Sequence, residues 1–164
     1  VSSVPVKELD MLKATSYDAK NIKAKNINII AKAGKLNGAA ILKLTADELK
    51  EFNITLSNNT GEKVVLGYDK TANQYFIDRS QSGKVDFAKG FGNKIVVPRF
   101  SANKNTDITL VIDVASVELF ADKGLSVLTA IFFPTSDYTD ITISSKDGFV
   151  IKTLHLSHLN SAWK

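Results

Sequence analysis

Hydrophobic residues in this chain recur with a period close to two. Phe52, Ile54 and Leu56 alternate with Asn53 and Thr55, and Ile108, Leu110 and Ile112 alternate with Thr109 and Val111. Successive side chains of a strand point to opposite faces, so these runs are half-buried strands with one face on a core. Further β-rich runs cover 27–31, 40–44, 63–68, 74–78, 95–97, 117–121, 127–133, 140–143 and 149–156. Between runs stand Asn58-Asn59-Thr60-Gly61, Asp122-Lys123-Gly124 and Lys146-Asp147-Gly148. Those residues tolerate positive φ, as tight hairpins require. About ten or more short strands at this spacing predict an all-β fold, an antiparallel two-sheet β-sandwich of the jelly-roll or concanavalin-like kind. Helix is scarce. Lys7 to Leu12 suits a turn or two, and Thr45-Ala46-Asp47-Glu48-Leu49 reads as an N-cap with a short helical turn or a strand connection.

A chain of 164 residues, 44% hydrophobic and 23% charged, is one ordinary globular domain by size and composition. No apolar run approaches the roughly 20 residues that span a bilayer, so no membrane partner is expected. Val1-Ser2-Ser3-Val4-Pro5 lacks the basic start and apolar core of a signal peptide. With no Cys, disulfides, thiolate metal sites and Cys nucleophiles are excluded, and no compartment is assigned. The net charge of +4 does not imply nucleic acid, because the basic residues are nearly all Lys scattered among carboxylates, with two Arg. Lys20, Lys23 and Lys25 read as a solvated sheet edge protected against unwanted pairing. His155 and His158, the only histidines, fall on opposite faces of a strand and lack a third ligand. No metal and no cofactor is expected. Gly90-Phe91-Gly92 does not open a helix after a strand, which rules out a phosphate-binding loop.

Three segments carry a family resemblance. The first runs Gly67-Tyr68-Asp69, then Tyr75-Phe76-Ile77-Asp78-Arg79-Ser80-Gln81-Ser82-Gly83, then Val85-Asp86-Phe87; the second is Asp113 to Phe120; the third is Thr129 to Pro134. With the order of elements around them, they resemble the C-terminal β-sandwich domain of glycoside hydrolase family 32, the fructan-cleaving levanases, inulinases and invertases. The resemblance covers roughly Pro5 to Trp163. One departure is Val114-Ala115, where family members often carry a small or polar residue after the hairpin aspartate; a β-branched residue is awkward in a tight turn. Trp163 is expected to tuck over the sandwich edge.

A retaining fructosidase needs two carboxyl groups about 5 Å apart, one a nucleophile and one a general acid. In the family these come from an Asn-Asp-Pro-Asn type motif and a Glu-Cys motif, with an Arg-Asp-Pro element holding the sugar. None is present here, since there is no Cys and the three prolines follow Val4, Val97 and Phe133. The chain is therefore expected to hydrolyse nothing alone, and no catalytic residue is assigned.

Another acid pair is available. If Val114 and Ala115 form a two-residue turn, Asp113 faces Ser116 and Ile112 faces Val117, which puts Asp113, Val111 and Glu118 on one hairpin face. These acids are either solvated positions and partners for Arg79 and nearby lysines, or groups that hold vicinal sugar hydroxyls together with an Arg. Fructan-binding modules resembling this sandwich recognise a terminal fructose with acids and Arg. The candidate carbohydrate contacts are accordingly Asp78, Arg79, Asp113, Glu118 and Tyr75. Tyr68, Tyr75 and Phe76 are either a stacking platform or core and cross-strand pairs.

The resemblance implies an accessory domain that supports a catalytic propeller and its substrate groove. That propeller is the expected partner, in a parent that is periplasmic or secreted, with residues 1–20 as the connector and 21–164 as the sandwich. The alternatives are an autonomous carbohydrate-binding module for terminal fructose of levan or inulin, and a lectin-like sandwich with an unrelated ligand.

Overall fold

The computed structural model describes residues 2–160, so the expected seat of Trp163 lies outside the described residues. Among the described residues ten strands follow in order: β1 (Lys13–Asn28), β2 (Ala40–Ala46), β3 (Phe52–Ser57), β4 (Lys63–Asp69), β5 (Gln74–Gln81), β6 (Ile95–Pro98), β7 (Thr106–Ile112), β8 (Ser116–Ala121), β9 (Ser126–Ile131) and β10 (Asp140–Leu159). A 3₁₀ turn, Lys7–Leu12, and a single-turn helix α1, Ile30–Ala33, accompany them. Every strand pairing is antiparallel.

The strand order is β6-β5-β4-β3-β10-β2-β7-β8-β9, with β1 beside β10. β10 makes this path two layers. Its first part pairs with β3, from Asp140↔Ser57 to Ser144↔Asn53, and its last part with β2, from Thr153↔Thr45 to His158↔Ala40. β1 follows β10 along its whole length. One layer is thus β6, β5, β4, β3 with the first part of β10; the other is β2, β7, β8, β9 with the last part, and the β1–β10 ribbon belongs to both. The chain is an all-β sandwich, as its alternation predicts.

The corner lies at Lys146-Asp147-Gly148, where a hairpin turn was expected. β10 runs straight through it. Ala24 pairs with Phe149 and Asn26 with Ser144, so residues 145–148 bulge opposite Lys25, and Gly148 takes φ +70°. Bulges of this kind bend a strand from one sheet into the next. Two smaller expectations also shift. The run 27–31 leaves the sheet after Asn28 and enters α1, and of the two readings of 45–49 the strand connection holds, with Thr45 and Ala46 still in β2.

Alternation builds the core. In β3, Phe52, Ile54 and Leu56 are buried while Asn53 is exposed; in β7, Ile108, Leu110 and Ile112 are buried between half-buried neighbours. Ile54 pairs with Leu66 in one layer and Leu110 with Leu119 in the other, and all four join one hydrophobic cluster. Each fully buried aliphatic side chain contributes about 1.5–3 kcal/mol. Lys20, Lys23 and Lys25 are exposed on β1, whose one partner is β10, so they do guard an edge.

The two ends of the strand path, β6 and β9, lie against each other. Ser126 Oγ donates to Pro98 O across this seam at 3.0 Å. Before β1, the chain is pinned by Ser3 N donating to Gly124 O and by Asn160 N donating to Leu12 O. β1 itself begins at Lys13.

Candidate functional site

The β7–β8 hairpin has the expected register. Ile112 pairs with Val117, Val111 with Glu118, and Asp113 N donates to Ser116 O at 2.9 Å around Val114 and Ala115. Neither turn residue needs a positive φ, and Asp113 Oδ1 accepts the Val114 amide at 2.8 Å, so the β-branched residue is accommodated with its side chain in solvent. Asp113 is exposed and Glu118 half-buried, on the face opposite the buried Ile112 and Val117.

The other three candidates lie on β5 and diverge by strand alternation. Asp78 accepts the Ser80 amide at 2.9 Å. Arg79 turns to the seam, where Nη1 donates to Ile131 O at 2.9 Å and its Cζ sits 3.9 Å from the Phe91 ring centre. Its Nε is buried without a hydrogen-bond partner. Tyr75 is fully buried in the core. Tyr68 pairs with it across β4 and β5, ring centres 5.3 Å apart, and Phe76 is buried beneath Lys94 Nζ at 3.8 Å. These three aromatics are core and cross-strand pairs.

Tyr75 anchors a polar network that sequence reasoning missed. Its hydroxyl donates to Asp122 Oδ2 at 2.9 Å and accepts from Arg99 Nε at 3.2 Å. Arg99 Nη2 donates to Asp122 Oδ1 at 2.9 Å and to Asn103 O at 2.7 Å, while Nη1 donates to Ser101 O. Asp122 holds φ +52°, at the head of the expected Asp-Lys-Gly turn. Burial pushes the Tyr75 phenol up. With four of its five N–H donors engaged, Arg99 clasps the seam.

At the other end of the seam, Phe87, Phe91 and Phe133 form an aromatic cluster with ring centres 4.5–5.7 Å apart. The loop after β5 reaches Phe133 because Gly83 takes φ +115° and Lys84 N donates to Phe133 O at 2.9 Å. Phe87 and Phe133 remain 51% and 44% exposed, unusual for large apolar rings.

Glu62 gathers a third polar cluster. Its carboxylate accepts from Asn58 Nδ2 at 2.7 Å and from the Thr135 amide and hydroxyl, each at 2.9 Å. These hydrogen bonds, Asn58's first, hold its carboxyl below the usual range.

Cavities do not unite the candidates. A cleft of about 520 Å³ near the β10 bulge is lined by Lys23, Lys25, Asp47, Glu48, Lys50 and Lys152, with Lys152–Asp47 and Lys50–Glu48 paired at 3.0 and 3.2 Å. Asp113 lines a separate cleft of about 380 Å³ with Leu9, Leu12 and Val111. His155 bridges Asp18 at 2.6 Å and Ser157 at 2.7 Å, the order of a nucleophilic triad. Ser157 is fully buried, so no substrate can reach its hydroxyl. No group of three metal-ligating side chains occurs among the described residues.

The chain matches the family model "Glycosyl hydrolases family 32 C terminal" over residues 8–161. It is 28% identical over 169 residues to a levanase of Bacillus subtilis, spanning 99% of this chain and 25% of that protein. It is 34% identical over 131 residues to a sucrose-6-phosphate hydrolase of Pediococcus pentosaceus, spanning 79% of this chain and 25% of that one. Among solved structures, the exo-inulinase of Aspergillus awamori superposes with a TM-score of 0.79 at 24% identity, over 99% of this chain and 33% of that one. Fructan 1-exohydrolase IIa of Cichorium intybus gives 0.76 at 12% identity, over 98% and 38%. The chain spans about a quarter of the length of the levanase and of the sucrose-6-phosphate hydrolase. A family match over nearly the whole chain, on the sandwich that the alternation builds, makes this a member of the C-terminal domain family of glycoside hydrolase family 32.

Proposed function

We propose that the chain is the accessory sandwich of a fructan-degrading glycoside hydrolase, supporting a catalytic propeller and its substrate groove. The observation that carries this reading is one of coverage. The levanase match runs over 99% of this chain but over 25% of that protein, so three-quarters of that relative lies elsewhere. The sequence also lacks the family's carboxylate motifs. The lead-in from the catalytic part falls within the expected connector 1–20, whose last residues, from Lys13, already belong to β1 of the sandwich. Levan, inulin or sucrose is the substrate of the parent, whose hydrolytic carboxylates lie outside this chain.

Two measurements on the isolated chain test the reading. Sugar release from levan, inulin and sucrose should stay at the blank, and turnover above it would contradict the accessory role. Calorimetry with levan, inulin and fructose should give weak or no heat. Binding that disappears in Arg79→Ala and Glu118→Ala would replace this reading with a carbohydrate-binding module.

A further inference from the structure

We propose that Asn37 is a site of spontaneous covalent modification, losing its side-chain amide to attack by the backbone nitrogen of Gly38. Asn37-Gly38 is the one Asn-Gly pair in the sequence. It lies in the loop between α1 and β2, outside any helix or strand. Asn37 is exposed, and among the described residues its side chain makes no hydrogen bond. The Gly38 N–H has no acceptor there either. Gly38 takes φ +83°, and nothing lies within 4 Å of where a Cβ would stand. Glycine permits this conformation and leaves its own nitrogen unshielded.

Other asparagines lack this freedom. Asn21, Asn26, Asn28 and Asn53 each precede Ile, whose branched Cβ crowds the following nitrogen. Asn58 is engaged, its Nδ2 donating to Glu62 Oε2 at 2.7 Å and to Ser136 O at 2.8 Å.

The reaction needs only water. Gly38 N bonds to Asn37 Cγ and gives its proton, through solvent, to the departing nitrogen; the Cγ–Nδ2 bond breaks and ammonia leaves behind a succinimide ring. Water then opens the ring at either carbonyl. Opening at Cγ gives an aspartyl residue. Opening at the backbone carbonyl gives an isoaspartyl residue, whose main chain runs through Cβ and Cγ and is one atom longer.

The loop has little slack for that atom. Leu36 N donates to Thr139 O at 3.0 Å, and Leu159 N donates to Ala39 O at 2.9 Å, so only Asn37 and Gly38 lie between the two anchors. Ala40, the first residue of β2, pairs with His158 on one side and Ile112 on the other. The new carboxylate also faces the cleft that Asp113 lines, where like charges repel. Modification at Asn37 therefore loosens the entry of β2 into the sheet.

Incubation in mildly alkaline buffer, followed by mass spectrometry of the tryptic peptide 36–43, tests the assignment. That peptide should gain the mass of an amide-to-carboxylate exchange and separate into aspartyl and isoaspartyl forms. Conversion should speed up as pH rises and keep pace with a synthetic peptide of the same residues, because nothing in the fold restrains the pair. Protein isoaspartyl methyltransferase should label the iso form. Asn37→Gln and Asn37→Ser should abolish mass gain and label together, with circular dichroism confirming that both variants fold. The incubated protein should melt below the fresh one, while both variants keep their melting temperature through the same treatment. An unchanged 36–43 peptide under conditions that convert the synthetic one would overturn the proposal, as would conversion led by another asparagine. Full conversion with no change in melting would overturn the consequence for β2.

Discussion

The Arg99 guanidinium and the Asp122 carboxylate meet 2.9 Å apart with side chains only 5% and 4% exposed, clasping the end of β6 to the turn after β8. Removing one partner of such a buried pair leaves an uncompensated charge at a cost of about 3–5 kcal/mol. Asp122→Asn keeps a residue that tolerates φ +52° while removing the charge and one of the two acceptor oxygens. Urea unfolding should show a loss of this order for Asp122→Asn and for Arg99→Met. The double variant should lose less than the sum, because each single change already strands the other group.

Acid should loosen the Glu62 cluster. The folded carboxyl lies below its ordinary value of 4.5, so its contribution is fully present above that value and is lost as pH falls through the folded one. The melting temperature should fall below about pH 4.5. Glu62→Gln should flatten this dependence and lower the melting temperature at neutral pH. An unchanged acid slope in the variant would remove Glu62 from the account.

Gly83 is held at φ +115° with its Cα against Phe133 O and Pro134, where an added Cβ would lie 2.6 Å from the Pro134 Cα. Gly83→Ala should cost on the order of 1–3 kcal/mol from backbone strain alone. It should also release the loop carrying Phe87 and Phe91. Ring proton resonances of the phenylalanines, followed by nuclear magnetic resonance, should lose their mutual ring-current shifts. Intact shifts with full stability would show that the loop is held some other way.

What was legible in the sequence was whatever depends on near neighbours. The alternation of β3 and β7, the Val114-Ala115 turn with its register, and the positive φ at Asp122, Lys123 and Gly124 follow from residues a few positions apart. β1 from Lys13 was illegible because it lies along the rim and carries polar residues in both phases of the strand, such as Asp18, Lys20, Asn21 and Lys23. The β10 corner reads like a hairpin because bulges and turns use the same glycine chemistry. Tyr75 and Arg79 looked like ligand contacts by residue type. The core seat of Tyr75 beside Asp122 and the bond of Arg79 to Ile131 O depend on the closing of the two layers, which no local pattern encodes.

The central claim is that this sandwich supports a catalytic domain carried elsewhere in the parent. The direct measurement is the rate of heat inactivation of fructan hydrolysis by the parent, with and without this segment. The account predicts that the truncated parent loses activity faster on heating while its preference among levan, inulin and sucrose is kept. An unchanged inactivation rate, or hydrolysis by the sandwich alone, would contradict it.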